Sequence, residues 1–223
     1  MTKDGHGLMV RTTCQRYKRA GRAPSHGASA PAAVIDSQAP GEEACMRSCS
    51  DVHNLLLEEG IPHEIVHLPS LSTTAQRAAE LLGVDTAEVV KSLVFYMDDE
   101  PTLVLVPGNS VADEDRLRST LGCRHVRLAK AQEVLAVTGY RRGAVPPCGL
   151  ATSLPVVADP SAFVPPVVYC GGGTTTTMLK LRSEDLRRLV APRLETIAAA
   201  SSEGSTTTWV AVPKSVRQRT PKP

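Results

Sequence analysis

One lysine, Lys91, stands inside the apolar, strand-like run Val89-Val90-Lys91-Ser92-Leu93-Val94-Phe95. An ammonium there is costly unless it meets a partner or a negatively charged ligand. Further along comes Gly139-Tyr140-Arg141-Arg142-Gly143-Ala144-Val145-Pro146-Pro147-Cys148-Gly149, a loop punctuated by glycine and proline. Such a loop is stiff enough to hold backbone amides at fixed positions. An embedded cation facing a rigid loop suggests a pocket for something anionic or carbonyl-bearing. Taken singly, each segment also has a plainer reading. Lys91 could be a strand-edge lysine whose ammonium reaches solvent, and 139–149 could be a surface loop.

Other chemistries find less support. The six cysteines, at 14, 45, 49, 123, 148 and 170, include no Cys-x-x-Cys pair and no His/Cys cluster at zinc spacing. Cys45 and Cys49 are spaced to share a helical face, and all six are read as reduced thiols. Cys148 could be a nucleophile, but no base lies near it in sequence. No Ser-His-Asp set or Gly-x-Ser-x-Gly context is present. His63, His67 and His125 are expected to be structural or exposed. There is no phosphate-binding glycine loop. The expectation is therefore a site without metal or cofactor.

The elements that would position this site can be read from pattern. The chain has 223 residues, of which only seven are aromatic, so its core must rest on Val, Leu, Ala and Ile. Residues 1–44 and 199–223 read as flexible extensions around an ordered body, 45–198. The tails are basic: 1–35 carries six basic side chains against one acidic, and 199–223 carries four against one. The body is acidic, with 15 basic and 21 acidic residues over 36–198. Basic tails can attract a phosphate backbone without specifying sequence; solvated tails with no ligand are the alternative. No apolar run is long enough for a membrane span. The N-terminus lacks a secretory core, so the expected location is the cytoplasm, with organelle import through the N-terminal extension as the rival reading.

Within the body, 46–59 reads as a helix and His63–Leu68 as a short strand. Ser72 or Thr73 is placed to cap a helix through Leu82 that Gly83 ends. A turn over Asp85–Val90 leads into the strand of Lys91. Asp98-Asp99-Glu100-Pro101 then turns into a second buried strand, Thr102–Val106, making a hairpin. Asp113 caps a helix ended by Gly122. A strand near His125–Leu128 and a helix near Ala131–Val137 precede the Gly/Pro loop. Strands near Leu154–Ala158, Val167–Cys170 and Met178–Leu181 follow it. A last helix starts at Ser183 with Glu184 and Asp185 in its first turn, as the helix dipole favours. Short strands mixed with short helices, without a strict βαβ rhythm or internal repeat, predict an α+β fold with a mixed, barrel-like sheet.

Several of these segments, in this order, resemble the YbaK/prolyl-tRNA synthetase editing-domain family over about 50–198. Ala78-Ala79-Glu80-Leu81-Leu82-Gly83-Val84 is similar to the helix before the family's catalytic strand. Lys91 takes the place of the lysine in its Val-Lys-(Ser/Thr)-Leu-Val motif. Leu103–Pro107 with Asn109 and Asp113 resembles the next strand and helix. Gly143-x-x-x-Pro147 is similar to the Gly-x-x-x-Pro loop beside the substrate's acyl group. Val168–Gly173, Met178–Leu181 and Glu184-Asp185-Leu186 resemble the closing unit. The chain departs from relatives at Thr174–Thr177, which replace a second glycine and an acidic residue. It also departs at Thr74, where the Cys-tRNA deacylase has tyrosine, and at Leu150, where many bacterial relatives have histidine.

The resemblance implies a freestanding hydrolase that clears a small wrong amino acid, such as Cys or Ala, from tRNA(Pro). Lys91 would be the catalytic residue, giving positive charge to the terminal adenosine phosphate or the acyl oxygen. Thr74, Ser92, Asn109, Gly143, Ala144, Val145, Pro146, Pro147, Gly171, Gly172 and Gly173 would bind substrate. Water, the terminal ribose hydroxyl or a cysteine substrate's own thiol would be the nucleophile. Arg141 and Arg142 could touch tRNA phosphates. The expected partners are mischarged tRNA and an aminoacyl-tRNA synthetase, with no membrane and no DNA. A non-catalytic module that binds tRNA or an amino acid and regulates a partner is the chief alternative, and a nucleotide-handling hydrolase the third.

Overall fold

The computed structural model describes residues 46–200. The extension 1–44, Cys14, Cys45 and most of the tail 199–223 lie outside the described residues. The fold grows from its most apolar hairpin. β2 (Val89–Met97) and β3 (Glu100–Pro107) pair antiparallel from Val90↔Pro107 to Met97↔Glu100. Asp98 and Asp99 make the turn at φ 48° and 71°. Positive φ at both central residues suits a two-residue hairpin, and short polar aspartates tolerate it.

Around this hairpin the strands β1 (His63–His67), β6 (Val156–Ala158), β7 (Val167–Gly171), β8 (Thr177–Arg182) and β9 (Arg193–Leu194) complete a mixed sheet in the order β1-β8-β7-β2-β3-β6-β9. β5 (Val126–Leu128) pairs with the far end of β2. β4 (Ser110–Ala112) and β10 (Ala198–Ala200) form a separate antiparallel ribbon. The mixed α+β sheet is as expected from the sequence. Its path ends at β1 and β9, with no ladder between them among the described residues, so pairing does not close it into a barrel.

Helices α1 (Cys49–Glu58), α2 (Ala75–Leu82), α3 (Glu114–Leu121), α4 (Ala131–Thr138) and α5 (Ser183–Val190) flank the sheet. Three local expectations need correction. α1 starts later than 46 because Ser48 caps it, with the Asp51 carboxylate accepting the Ser48 N–H at 2.7 Å. Thr74, rather than Ser72 or Thr73, caps α2; its hydroxyl accepts from the Arg77 N–H at 3.1 Å. Ala199 and Ala200, assigned above to the tail, belong to β10.

β2 and β3 are buried on both faces, as a strand inside a two-sided core must be. Val90, Val94, Leu103 and Leu105 meet Val52 and Leu56 of α1 together with Val145. Leu93, Phe95, Val104 and Val106 meet Leu117 of α3 and Ile197. Burying such side chains contributes about 1.5–3 kcal/mol each.

Candidate active site

The sheet splits at the lysine strand. On one edge of β2, β7 pairs only with Val89 and Val90, and β5 only with Phe95, Tyr96 and Met97. Lys91–Val94 therefore have no strand partner on that edge. The Val94 carbonyl accepts from the Ala129 N–H there at 2.9 Å. Peptide groups alternate sides along a strand, so the Ser92 N–H and C=O also point into the split. The Ser92 hydroxyl is buried and without a hydrogen-bond partner. Leaving such a group unsatisfied costs about 1–3 kcal/mol, and a feature of that cost calls for a ligand or a purpose.

The Gly143–Pro147 loop closes this split. Ser92, Leu93, Val94, Leu128, Ala129, Val134, Arg142, Gly143 and Val145 line a cavity of about 10 Å³, the scale of one water molecule. Gly143 sits at φ 89°, and the Ala144 N–H turns back onto the Arg141 carbonyl at 3.0 Å. Among the described residues, no acceptor meets the Gly143 or Val145 N–H. These two amides and the Ser92 groups are the open hydrogen-bonding capacity of the site.

The Gly171–Gly173 segment works from behind. The Gly173 N–H donates to the Ala144 carbonyl at 3.0 Å and the Gly172 N–H to the Thr177 carbonyl at 3.1 Å. Their amides are thus engaged internally, contrary to the expectation that they are open to substrate. A Cβ on Gly171 would lie 2.4 Å from the Val145 carbonyl oxygen, so only glycine lets β7 approach the loop. Thr174, Thr176 and Thr177 satisfy one another through their hydroxyls.

Lys91 belongs to the other face of β2, since neighbouring side chains point to opposite sides. It is 3% exposed. Its ammonium donates to the Gly108 carbonyl at 3.2 Å and to the Ser110 carbonyl, both on the β3–β4 turn. Burial lowers its pKa to about 8. The alternative in which the ammonium reaches solvent falls, because the side chain is buried and its ammonium is held by two backbone carbonyls. The lysine does not line the cavity closed by the loop; Ser92, its neighbour, does. The strand's period of two carried that signal in the sequence. Asn109 is exposed on the same turn, where its side chain accepts from the Ser110 hydroxyl at 3.3 Å. A Cβ on Gly108 would meet the Thr86 carbonyl at 2.4 Å and the Ala75 Cβ at 2.9 Å, so Thr74 at the start of α2 adjoins the lysine corner.

Among the remaining candidates, Arg142 lines the small cavity while Arg141 is exposed. Pro147 and Cys148 face a larger open groove of about 520 Å³, shared with Arg47, Asp51 and Leu154. That groove contains neither Lys91 nor Ser92. Burial pushes the Cys148 thiol up to about 12, which removes it as a thiolate nucleophile at neutral pH. His63 bridges the Ile61 carbonyl and His53, each at 2.8 Å. Among the described residues no group of three or more His, Cys, Asp or Glu is arranged to hold a metal, and no helix is long and apolar enough to cross a membrane.

The family model for the aminoacyl-tRNA editing domain matches residues 70–189, more than half of the chain. A proline–tRNA ligase of Citrifermentans bemidjiense is 38% identical over 106 residues, which cover 45% of this chain and 18% of the ligase. One of Ligilactobacillus salivarius is 36% identical over 96 residues, covering 43% of this chain and 17% of the ligase. The chain thus spans less than a fifth of either ligase. A crystal structure described as a candidate trans-editing enzyme for prolyl tRNA synthetase superposes with TM-score 0.64 at 29% identity, covering 68% of this chain and 97% of that one. A hypothetical protein of solved structure gives TM-score 0.63 at 27% identity, covering 67% and 99%.

Proposed function

Since the chain belongs to the aminoacyl-tRNA editing domain family, we propose that it is a trans-acting deacylase of mischarged tRNA, acting on tRNA(Pro) that carries a small wrong amino acid such as Cys or Ala. The observation that carries this reading is that the residues lining one cavity beside β2 hold unpartnered groups: the Ser92 hydroxyl and peptide, and the Gly143 and Val145 amides. Those donors suit an acyl carbonyl whose oxygen gains negative charge in the transition state. Lys91, one residue away on the opposite face, would have to release the Gly108 and Ser110 carbonyls to give positive charge to the terminal adenosine phosphate or the acyl oxygen, the role the family resemblance implies.

Hydrolysis adds an oxygen nucleophile to the carbonyl carbon, breaks the ester C–O bond and returns a proton to the ribose oxygen. The Cys148 thiol stays protonated and is not the nucleophile. Water takes that part, oriented by the free ribose hydroxyl. A cysteine substrate's thiol would instead attack its own carbonyl, closing a thiolactone and handing its proton to the leaving ribose oxygen. The site contributes positioning. The cavity has room for one water as it stands, so an acyl group enters only as the Gly143–Pro147 loop opens, and a small one needs the least opening. A methylene in such a pocket discriminates by only about 1–3 kcal/mol.

Deacylation assays with tRNAs mischarged with Ala, Cys and larger amino acids test the proposal. The expected result is hydrolysis of the small esters on tRNA(Pro), undiminished by EDTA. Tight binding with no turnover across the panel would establish the alternative, a regulatory binding module. Loss of activity to EDTA with recovery on adding zinc or magnesium would overturn the metal-free mechanism.

The basic tails are proposed to serve tRNA attraction. Replacing Lys214, Arg217, Arg219 and Lys222 with Gln in the full chain should weaken tRNA binding several-fold at low salt. The difference should fade as salt rises, since screening shortens such attraction to about 8–10 Å. Equal affinities at both salt concentrations would make the C-terminal charges spectators.

A further inference from the structure

The family match ends at residue 189, but the described chain continues in paired structure to Ala200. β9 runs parallel to β6, with Val157↔Arg193 and Ala158↔Leu194, and the Glu195 N–H donates to the Ala158 carbonyl at 3.0 Å. Asp159, at the end of β6, then clamps the strap. One carboxylate oxygen accepts the Ile197 N–H at 2.9 Å and the Ala198 N–H at 2.7 Å. The other accepts the Ser161 N–H at 3.0 Å and the Ser161 hydroxyl. Burial raises the Asp159 carboxyl, but these hydrogen bonds outweigh it and hold the pKa below the usual carboxylate range.

The strap leads to the lysine. Ile197 is fully buried among Leu93, Val104 and Val106, on the face of β2 that also carries Lys91. β10 then pairs with β4 as far as Ala200↔Ser110, and the Ser110 carbonyl accepts from the Lys91 ammonium. The Asp113 N–H donates to the Ile197 carbonyl at 3.0 Å, and Arg116 donates to the Ala198 carbonyl. A continuous hydrogen-bonded path runs from Asp159 through the strap and β4 to Lys91.

We propose that Asp159 is a positioning residue for Lys91: by clamping residues 193–200 it fixes the Ser110 carbonyl on the ammonium and keeps water from that face of β2. The charged groups on the elements packed about this corner are Asp85 and Glu88 beside the β3–β4 turn, the run Asp113-Glu114-Asp115-Arg116, Glu195 and Asp159 itself. None contributes to the lowering at Lys91, which comes from burial alone. A looser strap therefore reads out as a rise at Lys91. The consequence for turnover rests on the deacylase reading, but the state of the lysine can be measured without it.

The experiment is pH-dependent acylation of Lys91 in the full chain, followed by mass spectrometry, with deacylation assayed in parallel. In the unaltered protein the labelling midpoint is expected near 8. Asp159→Asn, which loses an acceptor without changing shape, should raise the midpoint by about one unit or more towards the value of a solvated lysine. It should also lower kcat with little change in KM. Ser161→Ala touches the same carboxylate away from the strap and should leave the midpoint in place. A folded Asp159→Asn protein with an unchanged midpoint would overturn the proposal, as would an equal rise in Ser161→Ala. Should Asp159→Asn not fold, Ile197→Val trims the strap's anchor and is read the same way. A raised midpoint in a protein that deacylates nothing would sustain this inference while removing the deacylase reading.

Discussion

Lys91→Met is expected to lower deacylation about 10²–10³-fold, the usual loss when a group that meets transition-state charge is removed, given that the ammonium exchanges the Gly108 and Ser110 carbonyls for substrate. Methionine keeps most of the stem and removes the charge. The fold should survive. The Gly108 and Ser110 carbonyls lose their donor, but a desolvated ammonium disappears with it. The pH dependence of stability gives a second signature. Burial lowers the Lys91 pKa to about 8 in the folded protein, against 10.5 for a free lysine. Between those values the unfolded chain binds the extra proton, so unfolding becomes harder as pH rises. Below pH 8 the burden of the buried charge is complete; towards pH 10.5 it vanishes. Relative to Lys91→Met, the unaltered protein should therefore gain about 3 kcal/mol across that window. Urea melts at pH 7, 9 and 10.5 measure this gain. Normal turnover in Lys91→Met would remove the lysine from the mechanism.

Gly171→Ala should be the most damaging single-methyl change in the site. The new Cβ would sit 2.4 Å from the Val145 carbonyl oxygen and 2.9 Å from its carbon. Both are backbone atoms, so no side chain can rotate away, and the Gly143–Pro147 loop must move. An overpacked contact of this kind costs about 1–3 kcal/mol. Displacing the Val145 amide from the split should in addition reduce turnover at least 10²-fold, given how steeply rate depends on placement. Gly122→Ala is the comparison. Gly122 has φ 71° but nothing within 4 Å of a Cβ, so it should cost about 1 kcal/mol of stability and leave deacylation alone. Equal losses in both would mean that the Gly171 contact has no special bearing on the site.

The hairpin of β2 and β3 was legible because its signals are local: apolar, β-branched and leucine-rich runs, interrupted only by Lys91-Ser92 on one side, flank an Asp-Asp turn. The helix ends at Gly83 and Gly122 were legible for the same reason, each a glycine at positive φ. Alternation along β2 also implied that Lys91 and Ser92 face opposite ways, which separates the lysine from the loop's cavity. Other features had no local signal. β4, β9 and β10 are two or three residues long, too short for any period to show. The carbonyls around Lys91 come from a turn that the sequence presents only as Gly108-Asn109-Ser110. Asp159 before Pro160 signals a cap, but its bonds to Ile197 and Ala198 cross a span that pattern cannot bridge. The engaged amides of Gly172 and Gly173 depend on how the two loops meet.

The first and last long strands of the sheet lie side by side, with His63 opposite Leu181 and His67 opposite Thr177. Antiparallel partners are about 4.5–5.5 Å apart at their Cα atoms. The part of the chain from β1 to β8 thus begins and ends at neighbouring points, before α5 and the strap carry it to β9 at the other end of the sheet. A unit of this kind can be spliced into a surface loop of another protein with little disturbance to its host, because the loop need only part by one strand spacing.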